Sequence, residues 1–238
     1  MERLQKKIAN SGFTSRRKAE ELIKAGHVCV NGKKITTLGY KVDTNDKITI
    51  DNVLIEQDAK VYFLLNKPRG YVSTTNDEKN RKTVIDLIDT DKRIYPVGRL
   101  DYDTTGALIL TNDGNLANIL MHPKNEIDKK YIAKINGLLT PKEEMILKNG
   151  VMIDGIKTQK AKLKTRKYDK KTNTSIVEIT IHEGHNHQVK KMFEQVGKKV
   201  LKLKRESIAF LNIKDIPSKN YRPLTIKEVK KLYNYEKK

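Results

Sequence analysis

Tyr95-Pro-Val-Gly-Arg-Leu-Asp-Tyr-Asp-Thr-Thr-Gly-Ala-Leu-Ile-Leu-Thr-Asn-Asp-Gly114 is the densest polar cluster of this chain in an otherwise apolar setting. It reads as a loop between two hydrophobic runs. Between Gly98 and Gly106 lie an arginine, two aspartates and two threonines. Glycines at both ends let the backbone turn sharply while the apolar flanks hold the loop on a scaffold. A loop that carries chemistry is supported in this way, but a polar surface turn with local Asp and Thr hydrogen bonds uses the same residues. Asp101 and Asp103 also invite comparison with the paired carboxylates of a glycosidase. Residues two apart point the same way, about 7 Å apart, only if the loop is strand-like. The spacing leaves that choice open.

Outward from this loop the pattern is mixed α and β. An apolar strand is expected over Val61 to Leu65, a turn at Lys67-Pro-Arg-Gly70 and a short helix around Val84 to Ile88. Strands follow at Tyr131 to Ile135 and at Ser175 to Ile181. In the second, Ile176, Glu178 and Thr180 share one face and Val177, Ile179 and Ile181 the other. Such alternation favours an antiparallel or mixed sheet. Thr140-Pro-Lys-Glu143 is a capping box with proline at the first helical position, opening a helix that ends at Gly150. Asn186 is expected to cap another helix, with an apolar stripe of Val189, Met192, Phe193 and Val196 closed by Gly197. No dinucleotide-binding glycine fingerprint and no phosphate-binding loop occurs, so neither NAD nor ATP is expected.

The first 60 residues form a separate module, and the boundary is expected near residue 60, giving domains 1–60 and 61–238. Leu4 and Ile8 mark a first helix. A second runs from Ser15 as N-cap to Gly26, burying Ala19, Leu22 and Ile23. Asn31-Gly32 then favours a two-residue hairpin turn. Residues 1–34 hold nine Lys or Arg and three acids. Arg16, Arg17 and Lys18 crowd the first turn of the second helix, where cations oppose the helix dipole. Phosphate contact explains them better than a merely solvated face.

Over the whole chain 49 Lys and Arg face 29 Asp and Glu, a formal charge of +20 among 238 residues. So large an imbalance self-repels unless a polyanion offsets it, which makes nucleic acid the expected partner. There is no apolar run of about 18 residues, no signal-peptide core and no lipidation motif, so a soluble cytoplasmic protein without membrane contact is expected. Cys29 is the single cysteine, which excludes an intrachain disulfide. No heptad run points beyond a monomer.

The module with Glu2-Arg-Leu-Gln-Lys6, Ser15-Arg-Arg-Lys-Ala-Glu20 and Val30-Asn-Gly32 resembles the S4-type RNA-binding domain. Gly98-Arg-Leu-Asp101-Tyr-Asp-Thr-Thr-Gly106 and Leu-Ile-Leu-Thr-Asn-Asp-Gly114 resemble the signature loop of bacterial ribosomal RNA pseudouridine synthases of the RsuA-like family. Asn66-Lys-Pro-Arg-Gly70, Lys129-Lys-Tyr131 and Glu183-Gly-His-Asn-His-Gln-Val-Lys-Lys-Met-Phe193 extend that resemblance over nearly the whole chain. The last block and Lys202-Leu-Lys-Arg205 are most similar to the large-subunit (RluB-type) members.

The resemblance implies an α+β protein: a small S4-type α/β module followed by a catalytic domain with a mixed, mainly antiparallel sheet flanked by helices. It implies an isomerase acting on ribosomal RNA or a pre-ribosomal particle in ribosome biogenesis, with no cofactor. Asp101 becomes the carboxylate that attacks the ribose or removes a ribose proton, so that the base detaches, rotates and rejoins through carbon. Lys190 is the matching partner, where many relatives carry arginine. Lysine offers a point charge without the bidentate fork. Tyr131 takes the active-site tyrosine position, although a core tyrosine on a strand would read the same.

Arg99 is expected to hold the flipped nucleotide or its phosphate. Further RNA contacts are expected from Arg16, Arg17, Lys18, Lys67, Arg69, His185, His187, Lys191, Lys198, Lys199 and Arg205. His182, His185 and His187 are close enough in sequence to suggest zinc, but no cysteine is near and they straddle a strand end and a helix start, so no metal is expected. A non-catalytic RNA-binding assembly factor on the same fold is the alternative, disfavoured by the intact Asp101, Tyr131 and Lys190.

Overall fold

A computed structural model describes residues 1–236. The chain divides into two compact units: residues 1–61 together with 89–94 and 112–114, and the remainder. In the first, helices Leu4–Asn10 and Arg16–Lys24 pack beside a small antiparallel sheet of Val28–Val30, Lys33–Lys34, Ile48–Ile50 and Val53–Leu54. The Ser15 hydroxyl accepts from the Lys18 backbone N–H at 3.1 Å, the cap expected from the sequence. Both hairpin turns use paired positive φ angles, Asn31 at 51° with Gly32 at 80°, and Asp51 at 47° with Asn52 at 65°. Leu4, Ile8, Ala19, Ile23, Val28, Val30, Ile48 and Ile50 form this unit's core. Each large aliphatic side chain there contributes about 1.5–3 kcal/mol on burial.

The second unit is built on one sheet, in which nine strands take part among the described residues. The main order is Lys162–Asp169, Thr174–Ile181, Lys129–Asn136, Val200–Ile208, Thr105–Thr111, Tyr62–Lys67 and Tyr221–Pro223. Neighbours are antiparallel except Val200–Ile208 with Thr105–Thr111, so the sheet is mixed and the chain is α+β. The Thr140–Glu143 capping box is present with Pro141 at the start of helix Pro141–Asn149.

Two local expectations change. Residues 95–114 are not one loop: Tyr95–Val97 and Thr105–Thr111 are antiparallel strands, and only residues 98–104 turn between them. Helix Gln188–Glu194 is not capped by Asn186; its N-cap is His187, left-handed at φ 54° and without a side-chain cap.

Gly106 explains how the parallel pairing of Thr105–Thr111 with Val200–Ile208 closes. It sits at φ +113°, and a Cβ there would lie 2.1 Å from the Arg205 carbonyl oxygen. Only glycine allows the two backbones to approach this closely. The strand leaving the 98–104 loop is thereby seated directly against the strand that carries Arg205.

Candidate active site

The 98–104 loop is held by the end of strand Tyr62–Lys67 and the segment that follows it. The Lys67 ammonium donates to the carbonyls of Asp101 at 2.9 Å, Thr104 at 3.0 Å and Pro68 at 3.2 Å. The Arg69 Nε donates to the Asp103 carbonyl at 3.0 Å, and the Gly70 N–H to the Tyr102 carbonyl at 2.9 Å. The Ser73 hydroxyl donates to the Leu100 carbonyl at 2.9 Å and accepts from the Leu100 N–H at 3.1 Å. Lys67, Arg69, Gly70 and Ser73 together are therefore the cradle of this loop.

Lys67 was expected among the RNA contacts, and its burial corrects that: it is 0% exposed and its ammonium is taken up by the carbonyls of Asp101, Thr104 and Pro68. Burial pushes the Lys67 ammonium down to about 8, against the attraction of Asp101 and Asp103. Lys67→Met keeps an unbranched side chain of similar length but leaves three carbonyls without their donor. We expect the turnover rate to fall by about 30-fold, since a loop misplaced by about 1 Å costs up to about a hundredfold. Single-turnover kinetics checks this; a rate within threefold of the parent would show that the loop holds its shape without the ammonium.

Lys190, on helix Gln188–Glu194, lies 3.0 Å from Asp101 Oδ2 and 2.7 Å from Asp103 Oδ1. One cation thus bridges both aspartates. Burial alone would lower the Lys190 ammonium, but the hydrogen bonds it donates to Asp103 and Asp101 outweigh that and raise it. For Asp103 burial acts upward, and Lys190 wins and holds the carboxyl below its ordinary value. The two carboxylates differ in position. Asp101 borders a cavity of about 590 Å³ and Asp103 does not. The volume falls in the range of small-molecule sites, about 300–1,000 Å³.

Tyr131 also borders this cavity, on the face of strand Lys129–Asn136 that carries Lys129, Ala133 and Ile135. Lys129, quoted above in the Lys129-Lys-Tyr131 motif but given no role there, also borders the cavity, its place two residues before Tyr131 putting it on the same face. Burial, then repulsion from Arg205, pushes its ammonium down to about 8. Arg205 itself corrects an expectation. It was expected among the RNA contacts; it is 3% exposed and borders the same cavity, with Nε donating to the Ala107 carbonyl at 2.7 Å and Nη1 to the Tyr131 hydroxyl at 3.3 Å.

Arg99 is exposed and borders the cavity. His187 stands 3.4 Å from Asp101 Oδ2, His185 3.3 Å from Glu183 and His182 2.6 Å from Asp128. The three imidazoles face three different carboxylates, so they do not converge on one ion. Lys191 pairs with Asp154 at the surface, and Lys198 lies 3.4 Å from Glu143. In the first unit Arg16, Arg17 and Lys18 are exposed, and of these Lys18 pairs with Glu21 at 2.9 Å.

A loop carboxylate paired with a lysine, opening on a cavity bordered by a buried tyrosine, is the equipment of an enzyme rather than of a passive binding module. The family model described as RNA pseudouridylate synthase matches residues 61–195, and that of the S4 domain matches residues 2–48. The chain belongs to the RNA pseudouridylate synthase family and carries an S4 domain at residues 2–48. It is 54% identical over 235 residues to the ribosomal large subunit pseudouridine synthase B of Bacillus subtilis, covering 98% of this chain and 96% of that protein. It is 37% identical over 236 residues to the dual-specificity RNA pseudouridine synthase RluF of Escherichia coli K12, covering 97% of this chain and 78% of that protein. A solved pseudouridylate synthase structure superposes with a TM-score of 0.68 at 30% identity, covering 98% of this chain and 100% of that one.

Proposed function

We propose that this chain isomerises a specific uridine to pseudouridine in large-subunit ribosomal RNA, with Asp101 as the reacting carboxylate. The observation that carries the reading is that Asp101, rather than Asp103, borders the cavity that Tyr131 also borders, with Lys190 at 3.0 Å. The 54% identity to a large-subunit synthase over almost the full length favours that RNA as substrate.

In the reaction the bond from ribose C1′ to uracil N1 breaks, the base turns, and a bond from C1′ to C5 forms. The C5 proton leaves and N1 gains one, so the change is an isomerisation without oxidant or cofactor. Asp101 either attacks the ribose or removes its proton, and Lys190 keeps a positive charge beside it. Tyr131 offers a ring face to the extruded uracil and a hydroxyl for proton transfer. Flipping the uridine out costs a few kcal/mol, less in a loop than in a duplex. Arg99 at the cavity rim, with Arg69, His185 and His187, contacts the flipped nucleotide or its flanking phosphates.

The S4 unit supplies further affinity through Arg16, Arg17 and Lys18. Changing Arg16 and Arg17 together to Ala is expected to weaken RNA binding and to reduce its log-log salt slope by about 0.7 per lost contact on single-stranded segments. Binding titrations across salt concentrations check it, and an unchanged slope would remove these residues from the interface. We take the chain to act as a monomer in the cytoplasm, where ribosomal RNA is assembled. The domains then divide near residue 60.

The deciding experiment incubates the protein with unmodified ribosomal RNA, labels pseudouridine chemically and maps new sites, with Asp101→Ala as control. A new site in large-subunit RNA that vanishes in the variant supports the reading. Tight binding without modification of RNA or of pre-ribosomal particles would favour an assembly factor on this fold.

A further inference from the structure

Arg205 is an anomaly for a surface-charged protein: a permanent cation, 3% exposed, deep in the second unit. No acidic side chain pairs with it among the described residues, and its Nη2 is buried without a hydrogen-bond partner. A buried cation without a carboxylate is expensive, so its retention calls for a reason other than stability. The contacts it does make have a direction. Nε donates to the Ala107 carbonyl at 2.7 Å, on the strand that leaves the Asp101 loop, and Nη1 donates to the Tyr131 hydroxyl at 3.3 Å. Its guanidinium carbon lies 5.9 Å from the Tyr131 ring centroid.

We infer that Arg205 is a positioning residue for the reaction: it fixes the Tyr131 hydroxyl relative to the Asp101 loop, and it does not contact the RNA backbone. Because Nη1 occupies a lone pair of the phenolic oxygen, the oxygen's own O–H and its remaining lone pair are left for other partners, and the ring cannot swing away without breaking that bond. The Nε bond to Ala107 ties the same guanidinium to the strand that begins where the loop ends. Tyrosine and carboxylate are thus referenced to one rigid planar group, which lysine could not replace because it lacks the fork. The inference rests on the uridine-isomerising reading above and adds to it which side chain sets the tyrosine.

The test is single-turnover pseudouridine formation at saturating enzyme, alongside RNA affinity, for the parent, Arg205→Met, Tyr131→Phe and the double variant, followed for hours so that slow rates are measurable. We expect Arg205→Met to lower the rate about 30-fold or more with RNA affinity within threefold. Combined with Tyr131→Phe it should add less than about twofold, because residues acting as a unit are not additive. Arg205→Lys, read in the same cycle, serves if the Met variant does not fold, and should lose about tenfold with the same non-additivity. Weakened affinity at an unchanged saturating rate would overturn the inference in favour of direct RNA contact. A loss that multiplies fully with that of Tyr131→Phe would overturn it in favour of an independent role. If the parent makes no pseudouridine in any ribosomal RNA, the functional reading falls and this inference with it; if the parent does and Arg205→Met matches it, this inference alone falls.

Discussion

Asp101→Asn is expected to lower the single-turnover rate by about 10⁴-fold or more, while Asp103→Asn stays within about tenfold of the parent. Removing the reacting group of an enzyme typically costs losses of that order. The geometry separates the two aspartates although one lysine holds both: Asp101 borders the cavity, whereas the Asp103 side chain is 57% exposed and lies outside it. Asp103 therefore acts on the charge and placement of Lys190. With Asp103 neutral, Lys190 still has Asp101 at 3.0 Å, so the pair that matters survives. Equal loss in both variants would instead make the two carboxylates a working pair and revive the hydrolase reading. Asn is nearly isosteric with Asp, so RNA affinity and melting temperature serve as folding controls.

Gly106→Ala is expected to destabilise the second unit by about 4 kcal/mol or more, at the extreme of single substitutions. The added Cβ would run into the backbone of Arg205: its carbonyl oxygen at 2.1 Å, its nitrogen at 2.8 Å and its carbonyl carbon at 2.9 Å. Backbone in a paired strand has nowhere to move, and φ of +113° is in any case hard for alanine. Gly98→Ala is the informative contrast. Gly98 has φ +73° but nothing within 4 Å of a Cβ, so only conformational strain of about 1–2 kcal/mol is expected. Denaturant unfolding of both variants reads the difference. A Gly106→Ala chain within about 1 kcal/mol of the parent would mean that the parallel pairing with the Arg205 strand is dispensable.

Elements defined by neighbours in sequence were legible. The Asn31-Gly32 turn, the Ser15 cap and the Thr140–Glu143 capping box are each set by a side chain and backbone a few residues apart, and each forms as read. The alternation of residues 175–181 likewise favoured an antiparallel or mixed sheet, and the strand Thr174–Ile181 pairs antiparallel with both its neighbours. Asn186 failed as a cap because His187 takes the left-handed position at the helix start and Gln188 Oε1 accepts from the His185 N–H. The polar run at 95–114 was read as too long a loop because its flanks, Tyr95–Val97 and Thr105–Thr111, become strands by pairing with each other.

Composition, periodicity and local turn chemistry were enough for an α+β chain with a basic character suited to RNA and a polar loop bearing Asp101, and a resemblance in the first residues pointed to the S4-type start. The tertiary structure decided that Asp101 and not Asp103 faces the cavity, and that Lys67 and Arg205 are interior cations instead of surface ones. Lys67 reaches Thr104 across 37 positions, and Arg205 reaches the Ala107 carbonyl across 98. A lysine or arginine is written the same way whether water or a buried carbonyl receives its protons; which one does depends on strands brought together from distant parts of the chain.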